Sequence, residues 1–92
     1  MTHSIAIVVL NWNNVQDTVA CLDTLVQSDC PGCRVVVVDN GSTDDSVATI
    51  RARFPEVEIL EISENLGYAG GNNMGIRHAL ALDATYIWLL ND

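Results

Sequence analysis

The chain reads as an α/β domain, a Rossmann-like three-layer αβα arrangement with four parallel strands alternating with three helices. Three observations predict this. Short apolar runs alternate with segments of helical periodicity along the whole chain. The connections between them are short, which favours right-handed crossovers with helices on both faces of one sheet. Every strand ends in a polar tip, and in a parallel sheet such tips share one rim, where ligands bind.

Ile5 to Leu10 is a continuous apolar run and predicts the first strand, with Asn11-Trp12-Asn13-Asn14 as its tip. Val15, Val19, Leu22 and Val26 recur at helical spacing and predict a helix with that apolar face, ended by Ser28-Asp29-Cys30-Pro31-Gly32. Val35 to Val38 predicts a second strand buried on both faces, with Asp39 at its tip. Ser42 followed by Asp45 resembles a capping box for a helix carrying Val47, Ile50 and Phe54, and Pro55 stops it. Val57, Ile59 and Ile62 alternate with Glu56, Glu58 and Glu61, the pattern of an edge or half-exposed strand. A glycine-dense tip from Asn65 to Asn73 leads to a helix face of Ile76, Ala79 and Leu80. Tyr86 to Leu90 predicts a fourth strand, with Trp88 in the core, and Asn91-Asp92 forms its tip.

Composition narrows the function. Ninety-two residues make one small domain, and a 49% hydrophobic share supplies a core. Net charge is −8, with twelve acids against Arg34, Arg51, Arg53 and Arg77 and no lysine. Such a chain has no basic surface for nucleic acid or for anionic membranes. It has no leader-like segment and no run near the ~20 apolar residues of a membrane span, so a cytoplasmic location is expected. Cys30-Pro31-Gly32-Cys33 has redox or half-zinc spacing, but it follows a helix and precedes a strand. It is read as a Pro-Gly turn between reduced thiols.

The rim suggests a nucleotide. A Walker loop requires lysine and is excluded. The dinucleotide fingerprint wants its glycines after the first strand, whereas here they follow the third, so NAD is disfavoured. Asp39 suits an imide N–H of uracil or thymine, or a ribose hydroxyl; capping the next turn is the plainer role. Gly67, Gly70, Gly71 and Gly75 suit close backbone approach, either to a diphosphate at a helix entry or to a packed sheet. Asn91 and Asp92 offer oxygen ligands for Mg²⁺ or Mn²⁺.

Four segments then carry a resemblance: Ile7 to Asn13, Val38 to Asp44, Asn65 to Gly75 and Leu89 to Asp92. Together they resemble family-two glycosyltransferases of the GT-A fold, over nearly the whole chain. The resemblance implies inverting transfer of a sugar from a nucleotide-diphosphate donor to an acceptor hydroxyl, on a glycan or lipid-linked acceptor. It places Leu10, Asn11, Trp12 and Asn13 at the base and ribose and Asp39 on the base. Asn65, Gly67, Gly70, Gly71 and Asn72 shape the nucleotide pocket, and Asn91 lies by the donor. The resemblance implies Asp92 as the metal residue, for a divalent ion such as Mg²⁺ or Mn²⁺. A tip beginning with Asn91 rather than Asp resembles rhamnosyl- and related deoxysugar transferases. The family's acceptor half and catalytic base would lie beyond Asp92. The chain is therefore expected to be the donor-binding half, inactive alone, with uncovered apolar surface near Leu89 and Leu90 that favours a homodimer. A Rossmann-like nucleotide-binding module without transferase chemistry is the alternative.

Overall fold

The computed structural model describes residues 5–28, 30 and 32–90. Seven elements alternate: β1 (Ile5–Asn11), α1 (Val15–Gln27), β2 (Cys33–Asn40), α2 (Ser46–Arg53), β3 (Glu58–Ile62), α3 (Gly67–Ala81) and β4 (Tyr86–Leu90). All pairings are parallel, in the order β3-β2-β1-β4. The chain steps outward from β1 to β3 and then returns past both to place β4 on the far side of β1. Right-handed crossovers in opposite directions put their helices on opposite faces. Accordingly α1 and α2 cover one face and α3 the other.

The face under α1 and α2 holds the core: Ile7, Val9 and Val37 from the sheet against Leu22, Ile50 and Phe54 from the helices. Val8, Val9, Val36, Val37 and Val38 are all fully buried, so the two central strands are apolar on both sides, as their uninterrupted apolar runs require. β3 lies at the edge, where Glu58 and Glu61 discourage further pairing.

The second face is built differently from the expected one. Leu80 is 60% exposed, and α3 packs instead through Gly71, Gly75 and Ala79. A Cβ on Gly75 would stand 2.5 Å from Val8 Cγ1 and 2.9 Å from Val38 Cγ2. The helix thus rests directly on the valine side chains. This close approach is the packing role foreseen for Gly71 and Gly75, whereas an added Cβ would meet nothing at Gly67 and only Leu66 at Gly70; most of the expected Asn65–Gly75 loop is helix.

Three further expectations are corrected. Trp88 is 52% exposed rather than core, because β4 is an outer strand and α1 lies over its neighbours. Val26 is 55% exposed, since the inward face of α1 centres on Thr18 and Leu22. Trp88, Val26, Leu25 and Leu90 border an open apolar cavity of about 680 Å³. Cys30 and Cys33, expected as reduced thiols, are joined by a disulfide across the turn into β2, with Cα atoms 5.4 Å apart.

Gly75→Ala tests the helix–sheet contact. Helix propensity alone favours the change by about 1 kcal/mol. Overpacking against two β-branched residues of central strands costs about 1–3 kcal/mol and is expected to win. Urea unfolding should show a lower midpoint for the variant; a higher one would contradict the packing described.

Candidate functional site: the rim at the strand tips

Strand register sets the rim. Asn11 pairs with Asp39, and Asp39 with Glu61, so three polar residues line up at the carboxyl ends of β1, β2 and β3. Alternation along β2 then turns Asp39 toward the α1–α2 face and Asn40 toward α3. Each organises one side of the rim.

On the first side, Asp39 is only 4% exposed and Asn11 is fully buried. Asn11 Nδ2 donates to Asp39 Oδ1 at 3.0 Å, and the Ser42 backbone N–H donates to Asp39 Oδ2 at 3.2 Å. A buried carboxylate without such donors would be costly. Asn13 joins the first tip to the second. Its Oδ1 accepts the N–H groups of Thr43 (2.8 Å) and Asp44 (3.2 Å), while its own N–H donates to Ser42 Oγ at 2.9 Å. Asn13 adopts φ +48°, a conformation asparagine tolerates better than most residues.

On the second side, Asn40 Nδ2 donates to Asn65 Oδ1 (3.0 Å) and to the Gly67 carbonyl (3.1 Å), and Asn40 Oδ1 accepts the Leu66 N–H at 3.0 Å. Asn65 Oδ1 also accepts the Gly67 N–H at 2.7 Å. The amides of Leu66 and Gly67, at the entry to α3, are therefore already engaged. Gly41 lets the second and third tips meet: at φ +76°, a Cβ there would come within 2.6 Å of the Glu64 carbonyl carbon. The Asn40-Gly41 pair directly after β2 is itself a turn signal.

The expected capping box does not form. Ser42 serves Asn11 and Asn13 instead, and the first turn of α2 is held by Asp44, whose Oδ1 accepts from both the Ser46 N–H and the Ser46 hydroxyl. The Ser46 hydroxyl, and then its backbone N–H, hold the Asp44 carboxyl below its usual pKa. Asp39, Gly41, Ser42, Arg51 and Glu61 border a cleft of about 680 Å³ between the second and third tips. Arg51 and Glu61 close its lower wall through a 2.8 Å ion pair.

The remaining candidates are spread along the same rim. Leu10 lies against Gly71, whose added Cβ would meet Leu10 Cδ1 at 2.6 Å. Trp12 is 51% exposed at the first tip. Asn65 and Gly67 are exposed, Gly70 is half-buried, and Gly71 is buried. Asn72 is 5% exposed, and its Nδ2 has no hydrogen-bond partner. Asn91 and Asp92 lie outside the described residues. Among the described residues no three His, Cys, Asp or Glu side chains gather to hold a metal ion. Nor is any helix among them long and apolar enough to cross a membrane.

A parallel sheet whose strand tips converge on a buried carboxylate and a polar cleft defines an α/β protein with a candidate ligand site along that rim. Residues 4–92 match the model of glycosyl transferase family 2, and the chain belongs to that family. It is 33% identical to galactofuranosyltransferase GlfT1 of Mycolicibacterium smegmatis over 94 aligned positions and 35% identical to the protein of that name from Mycobacterium tuberculosis. Each alignment takes in 100% of this chain but 31% of the relative, so the chain spans about a third of those proteins' length. Among solved structures it is similar to mannosyltransferase PcManGT from Pyrobaculum calidifontis in complex with GDP-Man and Mn²⁺. That match has a TM-score of 0.75 and 28% identity, over 86% of this chain and 25% of that one. The GT-A expectation for the fold is thereby met.

Two measurements check the rim. Asn40→Ala should speed hydrogen exchange at the Leu66 amide by well over the rate in the parent while leaving the Val36–Val38 amides protected. Equal exchange at Leu66 would contradict the bond. Ser46→Ala should raise the Asp44 titration midpoint, followed by NMR, toward its ordinary value of 3.8. Because the folded value is depressed, the stability linked to Asp44 is present above that ordinary value and lost as pH falls through the folded one. The variant should therefore show a smaller loss of stability across that acid range.

Proposed function

We propose that this chain is the donor-binding part of a glycosyltransferase that moves a sugar from a nucleotide-diphosphate sugar, of UDP or dTDP type, to an acceptor hydroxyl. The observation that carries the reading is Asp39: a carboxylate at a strand tip, bordering the cleft, with one protein donor on each oxygen. Each oxygen has two lone pairs, so an acceptor remains on each for the ring N–H of a base. Family membership and the GDP-Man in the similar mannosyltransferase structure support a nucleotide sugar as ligand.

Several roles follow from the resemblance and stay proposals. Trp12 borders the base and ribose, and the Asn65–Asn72 segment shapes the pocket wall. Asn91 and Asp92 meet the donor diphosphate, Asp92 through a divalent ion, for which the Mn²⁺ of the similar structure is the support. The acceptor, glycan or lipid-linked, and the base that deprotonates it belong to sequence beyond this chain, in line with the third of the relatives' length that it spans. On this reading the reaction inverts the anomeric centre and residues 1–92 alone transfer no sugar. The Asn91-headed tip resembles deoxysugar transferases, while the relatives are named for galactofuranose and mannose. We therefore propose the donor by its nucleotide and not by its sugar.

Titration calorimetry with UDP and dTDP in the presence of Mn²⁺ tests the reading. Asp39→Ala removes a hydrogen bond to a charged group and should weaken binding by roughly ten- to a hundredfold. Tighter binding of NAD or ATP, or an unchanged affinity in Asp39→Ala, would overturn it.

A further inference from the structure

Beneath Asp39 runs a buried line of side chains. Thr18, on α1, is fully buried, and its hydroxyl donates to Asn11 Oδ1 at 2.7 Å. Asn11 in turn donates through Nδ2 to Asp39 Oδ1 at 3.0 Å and to Ser42 Oγ at 3.2 Å. A carboxamide has one accepting end and one donating end. Turned over, Asn11 would set its carbonyl oxygen against the Asp39 carboxylate, acceptor against acceptor. The Thr18 hydroxyl holds the accepting end away from Asp39 and, by polarising the amide, strengthens the donating end.

We propose that Thr18 and Asn11 are positioning residues that set base selectivity through Asp39, an inference that rests on the reading of Asp39 as the base-recognition residue. With Asn11 on one oxygen and the Ser42 N–H on the other, the carboxylate is fixed in one orientation. A fixed acceptor meets a ring N–H, which uracil, thymine and guanine carry and neutral adenine lacks. A carboxylate free to turn also reaches an exocyclic amino group, which adenine does carry. Loosening the line therefore relaxes selectivity rather than merely lowering affinity. Without the Thr18 hydroxyl, Asn11 Oδ1 loses this buried donor, and Asn11 gains by swinging away from Asp39 to find another.

The test compares UDP and ADP affinities, by calorimetry on the purified protein, in the parent, Thr18→Val and Thr18→Ser. Valine keeps the shape and removes the hydroxyl; serine keeps the hydroxyl. Thr18→Val should shrink the ADP-to-UDP ratio of dissociation constants by about tenfold, the effect of roughly one buried hydrogen bond. Thr18→Ser should restore it. An unchanged ratio, equal weakening of both nucleotides, or no rescue by serine would overturn the proposal. If Thr18→Val does not fold, the parent protein supplies the readout: the Asn11 side-chain amide protons should shift on adding UDP and not ADP, and unmoved resonances would overturn it. Failure of the parent to bind UDP at all would overturn the nucleotide-sugar reading itself, and this inference with it, a result distinct from an altered ratio.

Discussion

Asp39 is a carboxylate that is 4% exposed, and burying it is the constraint around which the rim is arranged. Desolvation of a charge costs several kcal/mol unless hydrogen bonds replace the water. Those bonds come from Asn11 and from the Ser42 amide, and each has a structural precondition. The Asn11 bond needs β1 and β2 in parallel register, so that the two tips pair. The Ser42 bond needs the turn through Gly41. Thr18 requires α1 to start soon after β1 and to lie on the Asp39 face. The same bonds that fix the site thus also fix the relative placement of β1, α1 and the second tip.

Asn40 does for the opposite face what Asp39 does for its own. As a neutral amide it can donate and accept at once, and it uses both ends to hold the third tip and the entry of α3. Its neighbour across the interface is Gly71, with a Cβ position only 3.0 Å from Asn40 Nδ2. The small-residue stripe of Gly71, Gly75 and Ala79 brings α3 near enough for these bonds to form. Close packing lower down and hydrogen bonding at the rim are therefore coupled, and the separation of the second and third tips is set from below.

Much of this was legible in the sequence, for identifiable reasons. Four β-branched residues before Asp39, glutamates alternating through the third strand and polar residues at every tip report burial and the alternation of strand and helix directly. What failed had less local causes. The packing face of α3 is glycine and alanine, which a hydropathy pattern does not register as a face, so Leu80 was assigned inward and lies out. Trp88 lies in an apolar run that suggests core, but strand order, which the sequence does not state, puts it on an outer strand. Ser42 carries a capping pattern, yet it is drawn to Asn11 and Asn13, thirty residues away in the chain and adjacent in space. Thr18 carries no signal of its own in the sequence, and only the paired register of Asn11 and Asp39 reveals its use.

The central claim is that the clamped Asp39 carboxylate receives the nucleotide base. A crystal structure of the protein with UDP measures this most directly. The account predicts the uracil ring N–H within hydrogen-bond distance of an Asp39 oxygen, with the Asn11 and Ser42 contacts to that carboxylate intact. A base bound elsewhere on the rim, with Asp39 bonded only to Asn11 and Ser42, would contradict it.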